Sequence, residues 1–534
     1  MAAQTPDISS VGDALEGLVH QFADPWAFLR ELIQNAIDAG SEQIDVRIEH
    51  AAERGLMVIE VADAGEGMTR EIIDTRLTRL FSSAKEGDYT KIGRFGIGFV
   101  SVFAIDPELV CVDTGRAGEW WRVVFRRDRS FERIRLASPV EGTTVRLYKP
   151  ASAADVAAAR EKARETLEYW CKHVRIELRL DGELMSGALD VAGLCKVEHA
   201  EEGTRLVMAL VPELAGLRGY YHGGLTLHEE RDESLPHVAF KIDSRFLEHS
   251  MTRDNVIRDE NYAKAMAIVG EVARTRLAGE IVAALERGAA GEVMEAGARA
   301  LLYRCAAQQL ARGVAEPGWL RAALVPMLGG PPMSLGELRG RPRGSKLWRA
   351  RMMSPVVVRL VAVGQRVVAC AADDEVEALV IAGVGERLAG TEGLCTAVAI
   401  AAAALAGWAG LREAMARVIK AAGWKVREVA VGSLNYADSV VADRLAISQA
   451  SFGEVTPVAE VGLMVSGWLT SGRVLVLSAE HPTLLKLRAV AEREPELAAY
   501  LAIKAFFLHG ELGLATDARL ATAAAEARWR RTAT

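Results

Sequence analysis

Apolar residues in the first 150 positions are spaced first as in helices and then as in strands. Helical spacing holds over residues 11–22 and 25–39, where Pro25 suits a first turn and Gly40 supplies a stop. Strand-like runs follow at residues 44–48, 56–61, 109–112, 120–125, 133–136 and 143–147. Helices followed by mostly antiparallel strands predict a two-layer α/β sandwich for residues 1–150.

The rest of the chain predicts two further units. Helical spacing and short strands from residue 151 onward, then a helical region over 262–314, indicate an α/β middle domain with a helical extension at 151–326. Residues 347–534 predict a mixed α/β C-terminal domain with strands at 356–371 and a closing helix pair over 482–512. That pair could dimerise or pack within its own domain.

Residues 327–346 join these units and combine glycine and proline with basic side chains. Gly329 to Pro332 are followed by Arg339, Arg341, Arg343 and Lys346. A solvated linker is favoured over a nucleic-acid patch.

One stretch, residues 394–411, is nearly all apolar and about as long as a membrane span. Alanine and glycine dominate it and Thr396 interrupts it, so a buried helix is favoured over a transmembrane one.

The composition of the chain argues against several classes of protein. A formal net charge of -7 argues against non-specific nucleic-acid binding by the whole chain. Six dispersed cysteines without a CxxC pair argue against structural zinc and indicate a reduced, cytoplasmic setting. The first ten residues lack the pattern of a secretory signal.

The second helix carries three polar residues on one face. Glu31, Asn35 and Asp38 stand at i, i+4 and i+7 and therefore form one narrow stripe. Such groups can ligate a metal or polarise water, but an ordinary polar surface explains the stripe equally well.

A carboxylate at a strand end adds to this stripe. Asp63 follows an apolar run and is suited to accept a hydrogen bond from an adenine amine, while Gly65 and Gly67 let the backbone approach a ligand. An acidic turn is the simpler interpretation of this segment alone.

Farther along, Gly93, Gly96 and Gly98 form a glycine-rich loop before a helical pattern that begins near Phe99. Backbone N–H groups and the helix dipole suit such a loop to phosphate. Thr143 opens a later strand, where its hydroxyl could complete a base pocket.

The order and identity of these motifs over residues 14–150 resemble the GHKL ATPase superfamily, whose members include DNA gyrase, heat-shock protein 90, histidine kinases and the MutL proteins. The resemblance implies the Bergerat ATP-binding fold and a Mg-ATP cofactor. In its terms Glu31 matches the general base, Asn35 the Mg²⁺ ligand and Asp63 the adenine-reading carboxylate. Further matches to the nucleotide site are Asp38, Gly65, Gly67, Met68, Gly93, Gly96, Gly98, Phe99 and Thr143.

Within the superfamily, the phosphate loop at residues 92–99 resembles heat-shock protein 90 rather than MutL. Lys85 falls at the start of a short lid-like segment, where it could reach phosphate or remain a surface lysine. Residues 246–256 resemble the chaperone's middle-domain segment, in which Arg253 matches an arginine that reaches the γ-phosphate.

These resemblances imply a slow, cytoplasmic, dimeric ATPase that acts on a protein client through ATP-driven closure. A DNA-acting ATPase of the MutL or topoisomerase kind and a nucleotide-switched scaffold without turnover remain alternatives. A histidine kinase is disfavoured because no suitable phosphoacceptor helix precedes the ATP domain.

Overall fold

The computed structural model describes residues 24–78, 97–248, 255–313, 317–342, 344–462, 472–507 and 512–532. The chain divides into two compact units, Met1–Glu280 and Ile281–Thr534. The helix expected over residues 11–22 lies outside the described residues.

A mixed sheet forms one layer of the first unit. In the described part of the chain its strand order is β5-β4-β3-β6-β2-β1-β7-β8, and only β1 and β7 pair in parallel. The strands are β1 (Gln43–Ala51), β2 (Leu56–Asp63), β3 (Leu109–Arg116), β4 (Glu119–Arg126), β5 (Phe131–Arg135), β6 (Thr143–Pro150), β7 (Glu177–Leu180) and β8 (Glu183–Leu184).

Helices cover one face of this sheet. The helices are Phe28–Asp38, Ile97–Val100 with the 3₁₀ turn Ser101–Ile105, and Ala153–Trp170. Alternate residues of the strands, such as Ile44, Val46 and Ile59, share one buried core with the helices. Because period-2 strands pack here against helices of period 3.6, each element buries a single face. The predicted α/β sandwich is confirmed.

The opposite face of the sheet is polar and carries a charged network. Arg122 pairs with Asp113 at 2.6 Å, and Arg146 reaches both Asp113 at 2.9 Å and Glu60 at 2.7 Å. These two cations outweigh the effect of burial and lower the pKa of Asp113. The network ties β2, β3, β4 and β6 together across the sheet.

This layer continues past residue 150, where the sequence predicts a domain boundary. Helix Ala153–Trp170 begins with a capping box formed by Ser152 and Asp155, and it contributes Leu167 to the same core. The guanidinium carbon of Arg30 lies 4.5 Å from the centre of the Trp170 ring. The sandwich therefore includes β7 and β8 as well.

A second sheet completes the first unit, with the order β12-β11-β13-β10-β9 among the described strands. Its strands are β9 (Leu194–Glu201), β10 (Thr204–Leu210), β11 (Gly216–His222), β12 (Leu225–Asp232) and β13 (Val238–Ser244). The helices Glu260–Val272, Ala278–Ala289 and Ala296–Ala311 follow, which matches the helical region expected over 262–314.

The second unit contains small sheets and helices. Described strands form the sheets β15-β14-β16, β17-β21 and β18-β19-β22-β20. The strands are β14 (Leu347–Ala350), β15 (Arg366–Ala369), β16 (Ala389–Gly390), β17 (Leu394–Cys395), β18 (Val398–Ala399), β19 (Val426–Ser433), β20 (Ala446–Gln449), β21 (Thr456–Pro457) and β22 (Arg473–Ser478). Besides Ala296–Ala311, its described helices include Pro317–Arg321, Leu335–Arg339, Pro355–Ala362, Glu375–Val384, Ala402–Ala406, Ala409–Ala421, Pro482–Ala491, Pro495–Phe506 and Leu514–Thr532.

The strand-rich start expected over 356–371 is wrong in its first half. Ser354 caps a helix at Pro355–Ala362 by accepting the N–H of Val357, and only Arg366–Ala369 is a strand. The cap and the proline at the first position outweigh the β propensity of the valines.

The linker expected over 327–346 is folded. Helix Leu335–Arg339 has a capping box made by Ser334 and Glu337, and Leu335 and Leu338 are fully buried. The two buried leucines lie on one face of the helix. This explains why the segment packs into the fold instead of forming a solvated linker between domains.

The single buried helix expected over 394–411 is also wrong. The segment forms β17, β18 and helix Ala402–Ala406 before Ala409–Ala421 begins. The hydroxyl of buried Thr396 donates to the carbonyl of Gly453 at 2.8 Å, which fixes an extended chain here. None of the helices in the described ranges combines the length and apolar composition that crossing a membrane requires.

Candidate nucleotide site

The helix Phe28–Asp38 places Glu31 at the inner edge of the polar stripe. Its apolar residues Leu29, Leu32 and Ile33 are buried against the sheet, so the helix orientation is fixed. Glu31 is only 4% exposed. A Cβ built on Gly98 would lie 2.5 Å from Oε2 of Glu31, so this carboxylate lies directly against the start of the helix Ile97–Val100.

The other two residues of the stripe are exposed to solvent. Asn35 and Asp38 lie one and two turns beyond Glu31 on the same helix. Partial burial raises the pKa of Asp38, and nearby His222 opposes that rise. The stripe thus runs from a buried carboxylate at Glu31 to exposed polar groups at Asn35 and Asp38.

Asp63 ends β2 and anchors the turn that follows. Its Oδ1 accepts the N–H of Gly65 at 2.9 Å and the N–H of Thr143 at 3.3 Å. Among the described residues, Oδ2 has no hydrogen-bond partner and is the oxygen left for a ligand. Burial raises the pKa of Asp63, although both backbone hydrogen bonds oppose the rise.

The turn after Asp63 is bound to the end of the helix Phe28–Asp38. Glu66 donates its N–H to the carbonyl of Ala39 at 2.9 Å, and Ala64 donates to the hydroxyl of Ser41 at 2.9 Å. A Cβ on Gly65 would lie 2.9 Å from both the Cβ and the carbonyl oxygen of Ala39. Helix and turn therefore form one rigid wall that carries both Glu31 and Asp63.

Gly67 has a φ of +67°, and a Cβ there would lie 2.1 Å from the carbonyl oxygen of Gly115. Only glycine allows the turn to approach β3 this closely. Met68, the next residue, is partly buried and packs on the edge of the core.

Thr114 is a site residue that sequence reasoning missed. Its fully buried hydroxyl accepts the N–H of Met68 at 2.9 Å, donates to the carbonyl of Gly142 at 3.2 Å and lies 3.0 Å from the hydroxyl of Thr143. It therefore joins the glycine turn to the strand that carries Thr143. The feature that identifies Thr114 is its pairing with Thr143 across β3 and β6. This pairing is known only once the register of the two strands is known.

The ring of Phe99 lies in the core rather than beside Glu31 and Asp63. The ring is 7% exposed and packs 5.4 Å from the ring of Phe125 in the core. Ser101 donates its hydroxyl to the carbonyl of Gly98 at 2.5 Å and so fixes the turn beside Glu31. Lys85, Gly93, Gly96 and Arg253 lie outside the described residues.

A helix that presents Glu31 covers the sheet, and a glycine turn braces the strand-end Asp63. This arrangement is similar to that of the class of GHKL-type ATPase domains. Residues 24–137 match the family described as histidine kinase-, DNA gyrase B- and HSP90-like ATPase.

Curated relatives make the likeness more specific. The chain is similar to proteins named chaperone protein HtpG from Rhodospirillum rubrum (29% identical, 33% of each chain) and Roseobacter denitrificans (29%, 33% of this chain and 32% of the relative). HtpG of Anaplasma phagocytophilum is 33% identical over 21% of each chain. The chain thus spans at most about a third of the length of these relatives. Its likeness to the GHKL-type ATPase family is limited to residues 24–137, and its likeness to HtpG to about a third of its length.

Proposed function

We propose that this protein binds ATP with Mg²⁺ between Asp63 and Glu31 and hydrolyses it slowly. The observation that carries the proposal is Oδ2 of Asp63, which has no hydrogen-bond partner among the described residues and would present an acceptor to the exocyclic amine of adenine. Gly65, Gly67, Met68 and Thr143 surround that carboxylate and would line the base. Gly93, Gly96 and Gly98 would hold the phosphates through backbone N–H groups.

Asn35 is the residue that would hold Mg²⁺ together with the nucleotide. Its amide lies one helical turn from Glu31 on the exposed side of the stripe. Mg²⁺ uses few protein ligands and depends on phosphate oxygens and water, so one amide oxygen fits the need. The ion would neutralise phosphate charge.

Glu31 is the proposed general base. Its carboxylate lies against Gly98, where the proposed phosphate loop ends, so a water between them would lie near a terminal phosphate. Burial at 4% exposure restricts the side chain, and a restricted base orients water better than a mobile one.

Hydrolysis would be coupled to closure onto a protein client, as the likeness to HtpG suggests. Arg253 would reach the γ-phosphate from the middle domain and stabilise charge there. Lys85 would contact phosphate from a lid. The setting we propose is a homodimer in the cytoplasm.

The test is ATP turnover and nucleotide binding in matched variants. Glu31→Ala should retain nucleotide and lose turnover, whereas Asp63→Asn should lose binding. Arg253→Ala should slow turnover with nearly unchanged affinity. Asp45→Asn, on the opposite face of the sheet, is the control and should change neither.

Unchanged hydrolysis in Glu31→Ala would exclude Glu31 as the base. Turnover should also be measured with DNA and with an unfolded protein at several enzyme concentrations. Stimulation by DNA rather than by unfolded protein would favour the MutL or topoisomerase branch. Binding without turnover would favour a nucleotide-switched scaffold.

A further inference from the structure

A cavity of about 590 Å³ lies in the second unit, where a basic loop meets the end of the helix Glu375–Val384. The residues of the nucleotide site belong to the first unit, whereas most of this cavity's lining comes from residues 339–347, which overlap the segment that the sequence suggested as a linker. The described residues that line it are Arg339, Arg341, Pro342, Gly344, Ser345, Lys346, Leu347, Glu386, Arg387, Leu388 and Ala389.

Hydrogen bonds and an ion pair hold one wall of this cavity in place. Arg341 is 9% exposed, and it donates from Nη1 to the carbonyl of Leu338 at 2.9 Å and from Nε to the carbonyl of Ser345 at 3.1 Å. It also pairs with Glu386. Ser345 closes the loop by donating its N–H to the carbonyl of Pro342 at 3.1 Å. These hydrogen bonds fix Arg341 and Ser345 relative to each other before any ligand arrives.

Charge inside the cavity is unbalanced. Four of the described lining residues are cationic and one, Glu386, is acidic. Glu386 forms an ion pair with Arg341. Arg339 donates from Nε to the carbonyl of Gly383, and it pairs with no carboxylate among the residues that the structure describes. Lys346 and Arg387 are exposed and pair with no carboxylate in the described part of the chain.

We propose that this cavity binds the phosphate or pyrophosphate group of a small phosphorylated ligand. Three excess positive charges match a multiply charged anion better than a single carboxylate. A volume of about 590 Å³ is within the range of small-molecule sites, so the occupant is a small ligand rather than an extended polyanion. Lys346 and Arg387 make the direct contacts, while Arg341 positions the loop.

Isothermal titration of the full chain with pyrophosphate tests this site. Lys346→Ala/Arg387→Ala should weaken binding by at least about tenfold, because it removes both uncompensated cations. Lys420→Ala/Lys486→Ala removes two exposed lysines elsewhere in the same unit and should leave the affinity unchanged. Melting temperatures without ligand check that both double variants fold.

Equal affinity in the two double variants would overturn the proposal, since any pyrophosphate bound would then be held elsewhere, including the nucleotide domain. No binding to wild type at millimolar pyrophosphate would also overturn it. Binding of a single-stranded oligonucleotide that depends on Lys346 and Arg387, without pyrophosphate binding, would replace it with a nucleic-acid site. None of these outcomes depends on ATP turnover.

Discussion

Gly98 and Glu31 face each other so closely that a Cβ on Gly98 would lie 2.5 Å from Oε2 of Glu31. A glycine of the proposed phosphate loop is thus in direct contact with the proposed base. Any side chain at position 98 displaces the Glu31 carboxylate or the loop.

Gly98→Ala should therefore impair catalysis more than binding. The carboxylate must move by roughly 1 Å, and a displacement of that size costs about 100-fold in rate. Steady-state ATPase assays with nucleotide titrations measure both quantities. The control is Gly270→Ala, in a helix where an added Cβ meets open space. A Gly98→Ala protein with wild-type turnover would show that Glu31 does not need its present position.

Thr114→Val should destabilise the fold and weaken nucleotide binding together. The valine cannot accept the N–H of Met68, and a buried donor left unpaired costs about 1–3 kcal/mol. Urea denaturation and nucleotide titration give the two readouts. Thr114→Ser keeps the hydroxyl and should restore most of both. Equal losses in Thr114→Ser and Thr114→Val would show that the hydroxyl alone does not carry the effect.

Gly67→Ala should reduce the free energy of unfolding more than Gly55→Ala does. Both glycines have positive φ, +67° and +60°, so both variants bear the left-handed strain of about 1–2 kcal/mol. Only at Gly67 does the new Cβ meet backbone, 2.1 Å from the Gly115 carbonyl oxygen, while at Gly55 it meets open space. Chemical denaturation of the pair isolates the contact. Equal losses would mean that β3 can move away without cost.

Nucleotide affinity should fall on acidification because Asp63 must be ionised to accept from adenine. Burial raises its pKa above the ordinary value of about 3.9, so protonation begins at a higher pH than for an exposed aspartate. The same raised pKa means that ionised Asp63 disfavours the fold, so its protonation stabilises the protein as pH falls. Protonation of Asp63 should therefore lower the nucleotide affinity without unfolding the protein. Binding by the wild-type protein measured from neutral to acidic pH tests this, and an affinity that stays constant over that range would contradict it.

The strands around the nucleotide site were predictable from sequence because period-2 alternation is strong there. Asp63 could be found because it directly follows an apolar run and precedes two glycines. Thr114 could not, since its role comes from facing Thr143 across a strand pair that is distant in sequence. The free energy that fixes such a register lies in long-range packing, which local patterns do not report.

Errors in the second unit have a related cause. The sequence of residues 394–411 predicts one helix because alanine is a strong helix former. In the structure, buried Thr396 and Cys395 instead hold the start of this segment extended against Gly453 and Thr456. Tertiary hydrogen bonds outweighed local propensity. Residues 327–346 read as a linker because glycine and proline mark its start, although two leucines later anchor it to the core.

The parallel pairing of β1 with β7 affects how this protein can be dissected. A fragment ending at residue 150 would lack β7 and the helix Ala153–Trp170, so β1 would become an open edge and Leu32, Val46 and their neighbours would lose cover. Such a fragment would tend to aggregate even though it contains every proposed residue of the nucleotide site except Arg253. Recombinant production of an isolated ATPase domain should therefore extend beyond Leu184.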